Sequence, residues 1–250
     1  MEKITSRSNK VCLHIRKLGK NKSYRDESGQ FLCDGKKLLS EAVNSGVEID
    51  VILTSEELEF SFPESTRLYS ASESLIDSLS PLKNSQGVLF VCKTFTQQKS
   101  DFSSGTHIML DNIQDPGNVG TIIRSAYAFG IKSVILTGDS ADLFNLKTIR
   151  ASMGAIFKQD INILTSQEIV QLKEDGVRFI GTSGAHGSVD INSADLKNSI
   201  IILGNEGQGI SKELLDICYE VVKIPLVPDC ESLNVAVAAS IIMWEAVGKR

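Results

Sequence analysis

One strand-to-helix junction carries most of the information in this chain, and it reads Asp115-Pro116-Gly117-Asn118-Val119-Gly120-Thr121-Ile122-Ile123-Arg124-Ser125-Ala126. It follows an apolar run at 107–113, typical of a buried strand, and it opens an amphipathic helix predicted over 119–129. Pro116-Gly117 predicts a turn and Asn118 a helix N-cap, while Arg124 lies nearly opposite the apolar stripe. Open α/β sheets bind their ligands at junctions of this kind. Capping alone would also explain Asn118, and Arg124 by itself could be an ordinary exposed residue.

A glycine-rich loop forms a second junction. The apolar run at 200–203 leads into Gly204-Asn205-Glu206-Gly207-Gln208-Gly209, before a helix predicted at 211–218. The glycine spacing differs from that of the nucleotide-binding loops. A carboxylate at Glu206 would also repel a phosphate by roughly a few kcal/mol in a poorly solvated site. A neutral or cationic ligand therefore suits the loop better, although Glu206 could simply cap the next helix.

The third junction lies near the C-terminus. A strand predicted at 221–224 ends at Pro225, and the loop after it leads to Ser232, a predicted N-cap for a helix over 233–248. That helix is apolar on most sides and needs cover from the same chain or from a second subunit. The pattern does not distinguish these two forms of cover.

The order of the predicted elements indicates an α/β protein with a mostly parallel sheet covered on both faces. Beyond the three junctions, strands are predicted at 133–136, 160–164 and 179–183, and helices at 145–157 and 166–175. A polar, serine-rich stretch at 96–106 reads as a linker and divides the chain into domains 1–95 and 107–250. Domain 1–95 also alternates, with helices predicted near 9–18, 38–43 and 72–78 and strands near 31–33, 49–53 and 88–92. We therefore predict a smaller α/β domain there.

Charge is distributed unevenly along the chain. The net charge is −5, yet residues 1–37 hold ten basic and four acidic side chains, against 16 and 27 in the remainder. Concentrated positive charge raises the local affinity for phosphates even on an acidic protein. The segment therefore predicts nucleic-acid binding, with a merely solvated basic face as the alternative.

Composition argues against several other classes of protein. No apolar stretch approaches the roughly 20 residues of a membrane span, and residues 1–7 lack the apolar core of a signal peptide. Five scattered cysteines and three separated histidines argue against a disulfide framework and a metal site. We expect a cytoplasmic protein without bound metal.

Together the three junctions resemble the SpoU–TrmH branch of the SPOUT class of RNA methyltransferases. The matching residues are Asp115-Pro116-Gly117-Asn118-Val119-Gly120 with Arg124, Leu203-Gly204-Asn205-Glu206-Gly207 with Gly209, Ile224-Pro225-Leu226 with Ser232-Leu233-Asn234-Val235, and Ile149-Arg150-Ala151-Ser152-Met153-Gly154-Ala155. Domain 1–95 is more loosely similar to the α/β RNA-binding domain of these enzymes, through Phe31-Leu32-Cys33-Asp34-Gly35-Lys36-Lys37-Leu38. Asp34 stands where the family more often has glutamate.

The resemblance implies a C-terminal SPOUT domain with a trefoil knot, an S-adenosylmethionine cofactor and a homodimer. It also implies methyl transfer to the ribose 2′-hydroxyl of a structured RNA, with ribosomal RNA favoured by the extra N-terminal domain. The alternatives are a tRNA 2′-O-methyltransferase and a non-catalytic RNA-binding protein with the same knotted fold. A nucleotide-dependent metabolic enzyme is disfavoured by the glycine spacing and by Glu206.

The resemblance also implies which residues hold the cofactor. Gly204, Ile224, Leu226 and Leu233 are expected to hold it through backbone groups and apolar packing. Thr182, at the end of the strand predicted at 179–183, is a weaker candidate on the adenine side.

Five residues are expected to act on the RNA. Arg124 is expected to act electrostatically, on a phosphate and on the developing alkoxide, because a guanidinium scarcely deprotonates in proteins. Asn118 and Glu206 would orient Arg124, and Ser232 and Asn234 would fix the nucleotide and the loop. Glu206 could instead take the proton, so the identity of the general base stays open.

Overall fold

The computed structural model describes residues 1–59, 61–82, 85–95, 100–184 and 187–248. Contacts divide the chain into unit 1, which comprises Met1–Thr96 and Asp142–Phe157, and unit 2, which comprises Gln97–Ala141 and Lys158–Arg250. Part of the predicted linker at 96–106 and one of the three histidines, His186, lie outside the described residues.

Unit 1 contains a five-stranded mixed sheet. Its strands are β1 (Glu2–Lys3), β2 (Gln30–Asp34), β3 (Ile49–Thr54), β4 (Arg67–Ser70) and β5 (Val88–Lys93). They lie in the order β1-β4-β3-β5-β2, with β5 antiparallel to both β2 and β3. Its helices are α1 (Lys10–Lys20), α2 (Lys22–Ser28), α3 (Lys36–Asn44), α4 (Glu73–Leu79) and α6 (Leu146–Ser152). The predicted strands and helices of this domain are all present, whereas β1, β4 and α2 were not anticipated.

The segment Asp142–Phe157 completes unit 1, although in sequence it lies between two strands of the other unit. Nε and Nη2 of Arg25 both donate to Oδ2 of Asp142, and Nη1 of Arg25 donates to a backbone carbonyl at 2.6 Å. Phe144 stacks on Phe31 with ring centroids 4.7 Å apart, and Leu146 is part of the buried core. Within the described residues, the chain therefore crosses between the units at 141–142 and again at 157–158.

Unit 2 contains a seven-stranded parallel sheet, which confirms the predicted parallel α/β architecture. Its strands are β6 (His107–Asp111), β7 (Ser133–Thr137), β8 (Ile161–Ile163), β9 (Phe179–Thr182), β10 (Val189–Asp190), β11 (Ile200–Leu203) and β12 (Glu220–Lys223). Its helices are α5 (Pro116–Phe129), α7 (Ser166–Glu174), α8 (Lys212–Leu215) and α9 (Val235–Val247). The short strand β10 was not predicted.

The strand order of unit 2 determines where a ligand can bind. The order is β10-β12-β9-β11-β6-β7-β8, so the chain proceeds from β6 to β7 on one side while β11 flanks β6 on the other. Loops that leave β6 and β11 therefore diverge at a topological switch point, where parallel sheets open a crevice at their carboxyl ends. The first two junctions of the sequence meet at this point. The trefoil knot stays a prediction.

Two predicted helices are shorter in the structure. The helix predicted at 145–157 ends at Ser152, because Met153 and Gly154 adopt left-handed conformations with φ of 51° and 91°. A 3-10 turn at Ala155–Phe157 follows. The helix predicted at 211–218 is reduced to α8, after which the chain turns into β12.

The Arg25–Asp142 pair gives a test of how the segment Asp142–Phe157 is held. Both side chains are largely buried, so Arg25→Met leaves a buried carboxylate without its cation. We expect this change to destabilise unit 1 by about 3–5 kcal/mol, measured as the urea dependence of amide exchange in β2 and β5. Arg67→Met, which removes the exposed partner of Asp50, is the control and should cost about 1 kcal/mol or less. Equal losses in the two variants would contradict this role.

Candidate active site

The first turn of α5 is arranged differently from the prediction. The N-cap is Asp115, whose carboxylate accepts from the backbone N–H groups of Gly117 at 2.7 Å and Asn118 at 3.0 Å. Pro116 occupies the first helical position, where its missing N–H has no cost. The prediction of Asn118 as the N-cap was therefore wrong. Because Asp115 caps the helix, the Asn118 side chain is free to make tertiary contacts.

Asn118 joins the three junctions of the sequence. Its Nδ2 donates to Oε1 of Glu206 at 2.8 Å, across 88 residues of sequence. Its Oδ1 accepts from Nδ2 of Asn234 at 3.1 Å, across 116 residues. Three of the five predicted catalytic residues thus form one continuous hydrogen-bonded chain.

Each residue in this series of hydrogen bonds donates to the next, from Asn234 to Asn118 and from Asn118 to Glu206. Oδ1 of Asn234 accepts from the backbone N–H groups of Ala236 at 2.9 Å and Val237 at 3.3 Å, so Asn234 is the N-cap of α9 and the prediction of Ser232 was wrong. Since that oxygen is used by the helix, the amide nitrogen of Asn234 must point outward and donate. Asn118 in turn accepts with its oxygen and donates with its nitrogen, and the chain ends on the Glu206 carboxylate.

The glycine loop is shaped by a close backbone approach. A Cβ on Gly204 would lie 2.2 Å from the backbone carbon of Gly209 and the nitrogen of Ile210, so only glycine fits there. Asn205 and Gly209 exchange two backbone hydrogen bonds of 2.9 Å. This tight loop leaves Glu206 exposed at its tip.

Two predicted catalytic residues lie outside the hydrogen-bonded chain. Arg124 is exposed on α5, opposite the buried Ile122 and Ile123, as the helical spacing predicted. Within the described part of the molecule, its guanidinium forms no hydrogen bond or ion pair, so its orientation by Asn118 and Glu206 stays a prediction. Ser232 is exposed, and its carbonyl oxygen accepts a weak bond from Sγ of Cys230.

The predicted cofactor residues follow adjacent strands. Thr182 ends β9, Gly204 follows β11 and Ile224 follows β12, and these strands are neighbours in the order β12-β9-β11. The Thr182 hydroxyl donates to the carbonyl of Ile202 at 2.8 Å, so it ties β9 to β11. Leu226 is exposed and Leu233 half-buried on the loop between β12 and α9.

These residues fit S-adenosylmethionine. The carboxyl ends of three parallel strands meet at one edge, with backbone groups at Gly204 and accessible apolar side chains at Leu226 and Leu233. The Glu206 carboxylate suits a cationic sulfonium and opposes a phosphate. The groups present therefore match a cationic, partly apolar ligand.

Among the described residues of unit 2, two other reactive groups, Cys218 and His107, are poorly suited to catalysis. Burial raises the pKa of the Cys218 thiol to about 11, so this thiol stays protonated at neutral pH. Burial also lowers the pKa of His107, which bonds to Ser133 at 2.7 Å. Among the described residues no group of three histidine, cysteine or acidic side chains could hold a metal ion, and none of the described helices could span a membrane. All five cysteines are free thiols.

Sequence reasoning missed several polar residues beneath the loops. Asp115 lies in the first junction, but the sequence pattern does not predict that it caps α5, and it predicts no role for Asn205. Asp111 and Asn112 fall within the apolar run at 107–113. An aspartate that closes a buried strand just before a ligand-binding loop was the signal that could have found them.

Comparison with known proteins identifies the family. The sequence model of the SpoU rRNA Methylase family matches residues 105–244, and that of the MRM3-like substrate binding domain matches residues 9–90. The chain is 31% identical to a Bacillus subtilis (strain 168) protein named 23S rRNA (guanosine(2553)-2′-O)-methyltransferase RlmP, over 99% of this chain and 100% of that protein.

Solved structures agree with the sequence comparison. An AdoMet-bound rRNA methyltransferase from Sinorhizobium meliloti superposes with a TM-score of 0.85 and 29% identity, covering 98% of this chain and 97% of that one. The SpoU methyltransferase AviRb from Streptomyces viridochromogenes, in complex with AdoMet, gives a TM-score of 0.81 and 28% identity over 96% and 98%. The resemblance stated from the three junctions is confirmed, and the chain belongs to the SpoU rRNA Methylase family of S-adenosylmethionine-dependent enzymes.

Proposed function

We propose that this enzyme methylates a ribose 2′-hydroxyl of 23S rRNA at the carboxyl edge of the parallel sheet, with unit 1 binding the RNA. The observation that carries the proposal is the hydrogen-bonded chain from Asn234 through Asn118 to Glu206. It joins the three family motifs at one point. The likeness to RlmP over the full length of both chains supports 23S rRNA over tRNA as the substrate.

The residues at the ends of β9, β11 and β12 would hold the cofactor. Gly204 and Ile224 would offer backbone groups, Leu226 and Leu233 would offer apolar surface, and Thr182 would be a contact for the adenine. When bound, S-adenosylmethionine supplies an electrophilic methyl group on a cationic sulfonium. The protein must then position the ribose hydroxyl and remove its proton.

Glu206 accepts the proton of the ribose hydroxyl, and Arg124 positions the nucleotide and stabilises the developing charge. Asn118 binds one oxygen of the Glu206 carboxylate, which leaves Oε2 as an acceptor for the ribose hydroxyl and its proton. Arg124 binds the adjacent phosphate and stabilises the developing alkoxide, since an exposed guanidinium is suited to a bidentate phosphate contact. Ser232, beside Asn234, helps to fix the nucleotide.

Unit 1 supplies the positive surface. The buried side of α1 contains Cys12, Ile15 and Leu18, so Lys10 and Lys17 project from its other side. Arg25 does not contribute, because it is buried against Asp142. At the start of α3, Lys37 is exposed and Lys36 forms a solvent-exposed pair with Glu56 at 3.2 Å. Such a pair contributes little, so both lysines can bind phosphate.

We also propose that the enzyme is a cytoplasmic homodimer. We propose that its domains are 1–95 and 107–250, joined at 96–106, with the exception of the segment Asp142–Phe157, which packs in unit 1. Trp244 on α9 is 56% exposed and contacts Phe129 on α5, with ring centroids 5.9 Å apart. Tyr127 and Ile241 on the same helices are also exposed. A second subunit would cover this apolar surface. Free thiols and an rRNA substrate support the cytoplasm.

The function is tested by mapping 2′-O-methyl groups in rRNA from cells with and without the gene. We expect one 23S site to be lost in the deletion and restored by the wild-type chain, but not by Arg124→Ala. The first position to examine is the guanosine named for the Bacillus subtilis relative. An unchanged 23S map would contradict the proposal.

The same variant tests the role of Arg124 in vitro. We expect Arg124→Ala to lower the methylation rate by about 100- to 1,000-fold, because it removes charge stabilisation in the transition state. Calorimetry should find its S-adenosylmethionine affinity within a few-fold of wild type. Lys173→Ala, on the exposed side of α7, is the matched control. A comparable loss of cofactor affinity would overturn the role of Arg124.

The basic surface is tested by Lys36→Glu combined with Lys37→Glu. Acidic residues are favourable in the first turn of a helix, so the fold should be retained. RNA affinity should fall. The slope of log K against log[salt] should become less steep by the amount that corresponds to about two lost phosphate contacts. Lys173→Glu with Lys212→Glu makes the same change of charge in unit 2. If both double variants lose the same RNA affinity, the effect does not depend on lysines of unit 1, and the proposed RNA-binding surface is contradicted.

Trp244→Asp tests the homodimer. A carboxylate in the centre of an apolar interface is left unpaired, so we expect the variant to be monomeric in sedimentation experiments at concentrations where the wild type is dimeric. Val170→Asp is the control, because Val170 on α7 is exposed to a similar extent, 52%. A monomeric wild type would contradict the homodimer.

A further inference from the structure

Asp111, the last residue of β6, and Asn112, which follows it, hold the glycine loop at its two ends. We propose that Asp111 and Asn205 are positioning residues that clamp the loop 204–211 and so keep Glu206 in hydrogen-bonding register with Asn118. The inference rests on the proposed role of Glu206 in methyl transfer. Neither residue was assigned a role by the motif comparison.

Asp111 fixes the far end of the loop. Its carboxylate is buried, and Oδ2 accepts from the backbone N–H of Ser211 at 2.7 Å. Oδ1 accepts from Nδ2 of Asn112 at 2.8 Å and from the hydroxyl of Thr137 at 3.4 Å. Within the described chain no cation pairs with this carboxylate, so neutral donors alone satisfy it. A buried carboxylate held in this way is costly to disturb.

Asn205 fixes the near end of the loop. Its Nδ2 donates to the backbone carbonyl of Asn112 at 2.8 Å. Its Oδ1 accepts from the backbone N–H groups of Gly207 at 2.9 Å and Gln208 at 3.1 Å. One side chain therefore ties the loop to β6 and also folds the loop around Glu206.

Asn112 joins a third loop to the same point. It adopts a left-handed conformation with φ of 55°, which asparagine tolerates better than most residues. Its Oδ1 accepts from the backbone N–H of Asp139 at 2.9 Å, and a Cβ on Gly138 would lie 2.4 Å from that oxygen. The loops after β6, β7 and β11 thus meet at Asp111 and Asn112.

This arrangement links the clamp to the chemistry. The strand that holds the loop continues directly into the Asp115 cap and Asn118. Asn118 and Glu206 are therefore both positioned from the end of β6. If the contact between Asp111 and the loop is lost, the loop that carries Glu206 can move relative to Asn118. An error of about 1 Å in such a site can reduce the rate about 100-fold.

The clamp is tested first without any ligand. Asp111→Asn keeps the size of the side chain but can replace the acceptor of the Ser211 N–H with an NH₂ group. Asn205→Asp keeps both accepted bonds, but it replaces the donor to the Asn112 carbonyl with a charged acceptor, so this bond is lost and the two oxygens repel each other. In the full-length protein we expect amide exchange across 204–211 to quicken about tenfold or more in both variants, with β2 and β5 unchanged. Unaltered exchange in the loop would overturn the clamp.

A double-mutant cycle then tests whether the clamp acts through Glu206. We expect each variant to lower kcat by about 10- to 100-fold, with KM for RNA within about threefold. Combined with Glu206→Gln, neither should lower kcat much further, because the group that they position is already lost. Asn162→Asp is the control, since Asn162 is a buried amide that bonds to Ser100 and to no residue of the loop.

The outcomes separate the two proposals. Multiplicative losses in the cycle would show that Asp111 and Asn205 act independently of Glu206, which overturns the positioning role. A wild-type enzyme without activity on RNA would refute the proposed function, while the exchange measurement would still decide the clamp. If Asp111→Asn does not fold, Asn205→Asp carries both measurements.

Discussion

The proposed function depends on one contact, the hydrogen bond between Asn118 and Glu206. It forms because β6 and β11 are adjacent and parallel, so the loops that follow them start from the same edge of the sheet. Asn234 extends it to α9 and fixes its direction, because its own oxygen is committed to capping that helix. A parallel sheet with a switch point between these strands is therefore a requirement of the site.

Sequence patterns predicted the parallel sheet, the three junctions and the residues that converge there, because buried strands and helix faces have strong local periodicities. Both predicted N-caps were wrong for a common reason. Asp115 and Asn118 are equally able to cap α5, and Ser232 and Asn234 are equally able to cap α9. Local propensity cannot choose between them. The choice is made by tertiary partners, since Asn118 is needed by Glu206 and Asn234 reaches Asn118.

The segment Asp142–Phe157 was beyond prediction for a different reason. It looks like an ordinary part of the second domain, but its partners Arg25 and Phe31 precede it by more than 100 residues. No periodicity encodes such a pairing. One of the ten basic residues of 1–37, Arg25, is therefore buried in this contact and is not exposed on the surface. Counts of charge along a sequence therefore overstate the surface available to phosphates.

The use of amides to hold Glu206 has a chemical consequence. Lysine or arginine at position 118 would also bind the carboxylate, but it would neutralise the loop that we propose receives a cationic sulfonium. Two asparagines orient the carboxylate while adding no charge, and the buried Asp111 is likewise satisfied by neutral donors. Arg124, which we propose binds the RNA phosphate, is exposed on the helix surface and forms no ion pair with an acidic side chain of the described residues. The acidic and basic groups of the proposed site are therefore not neutralised by each other.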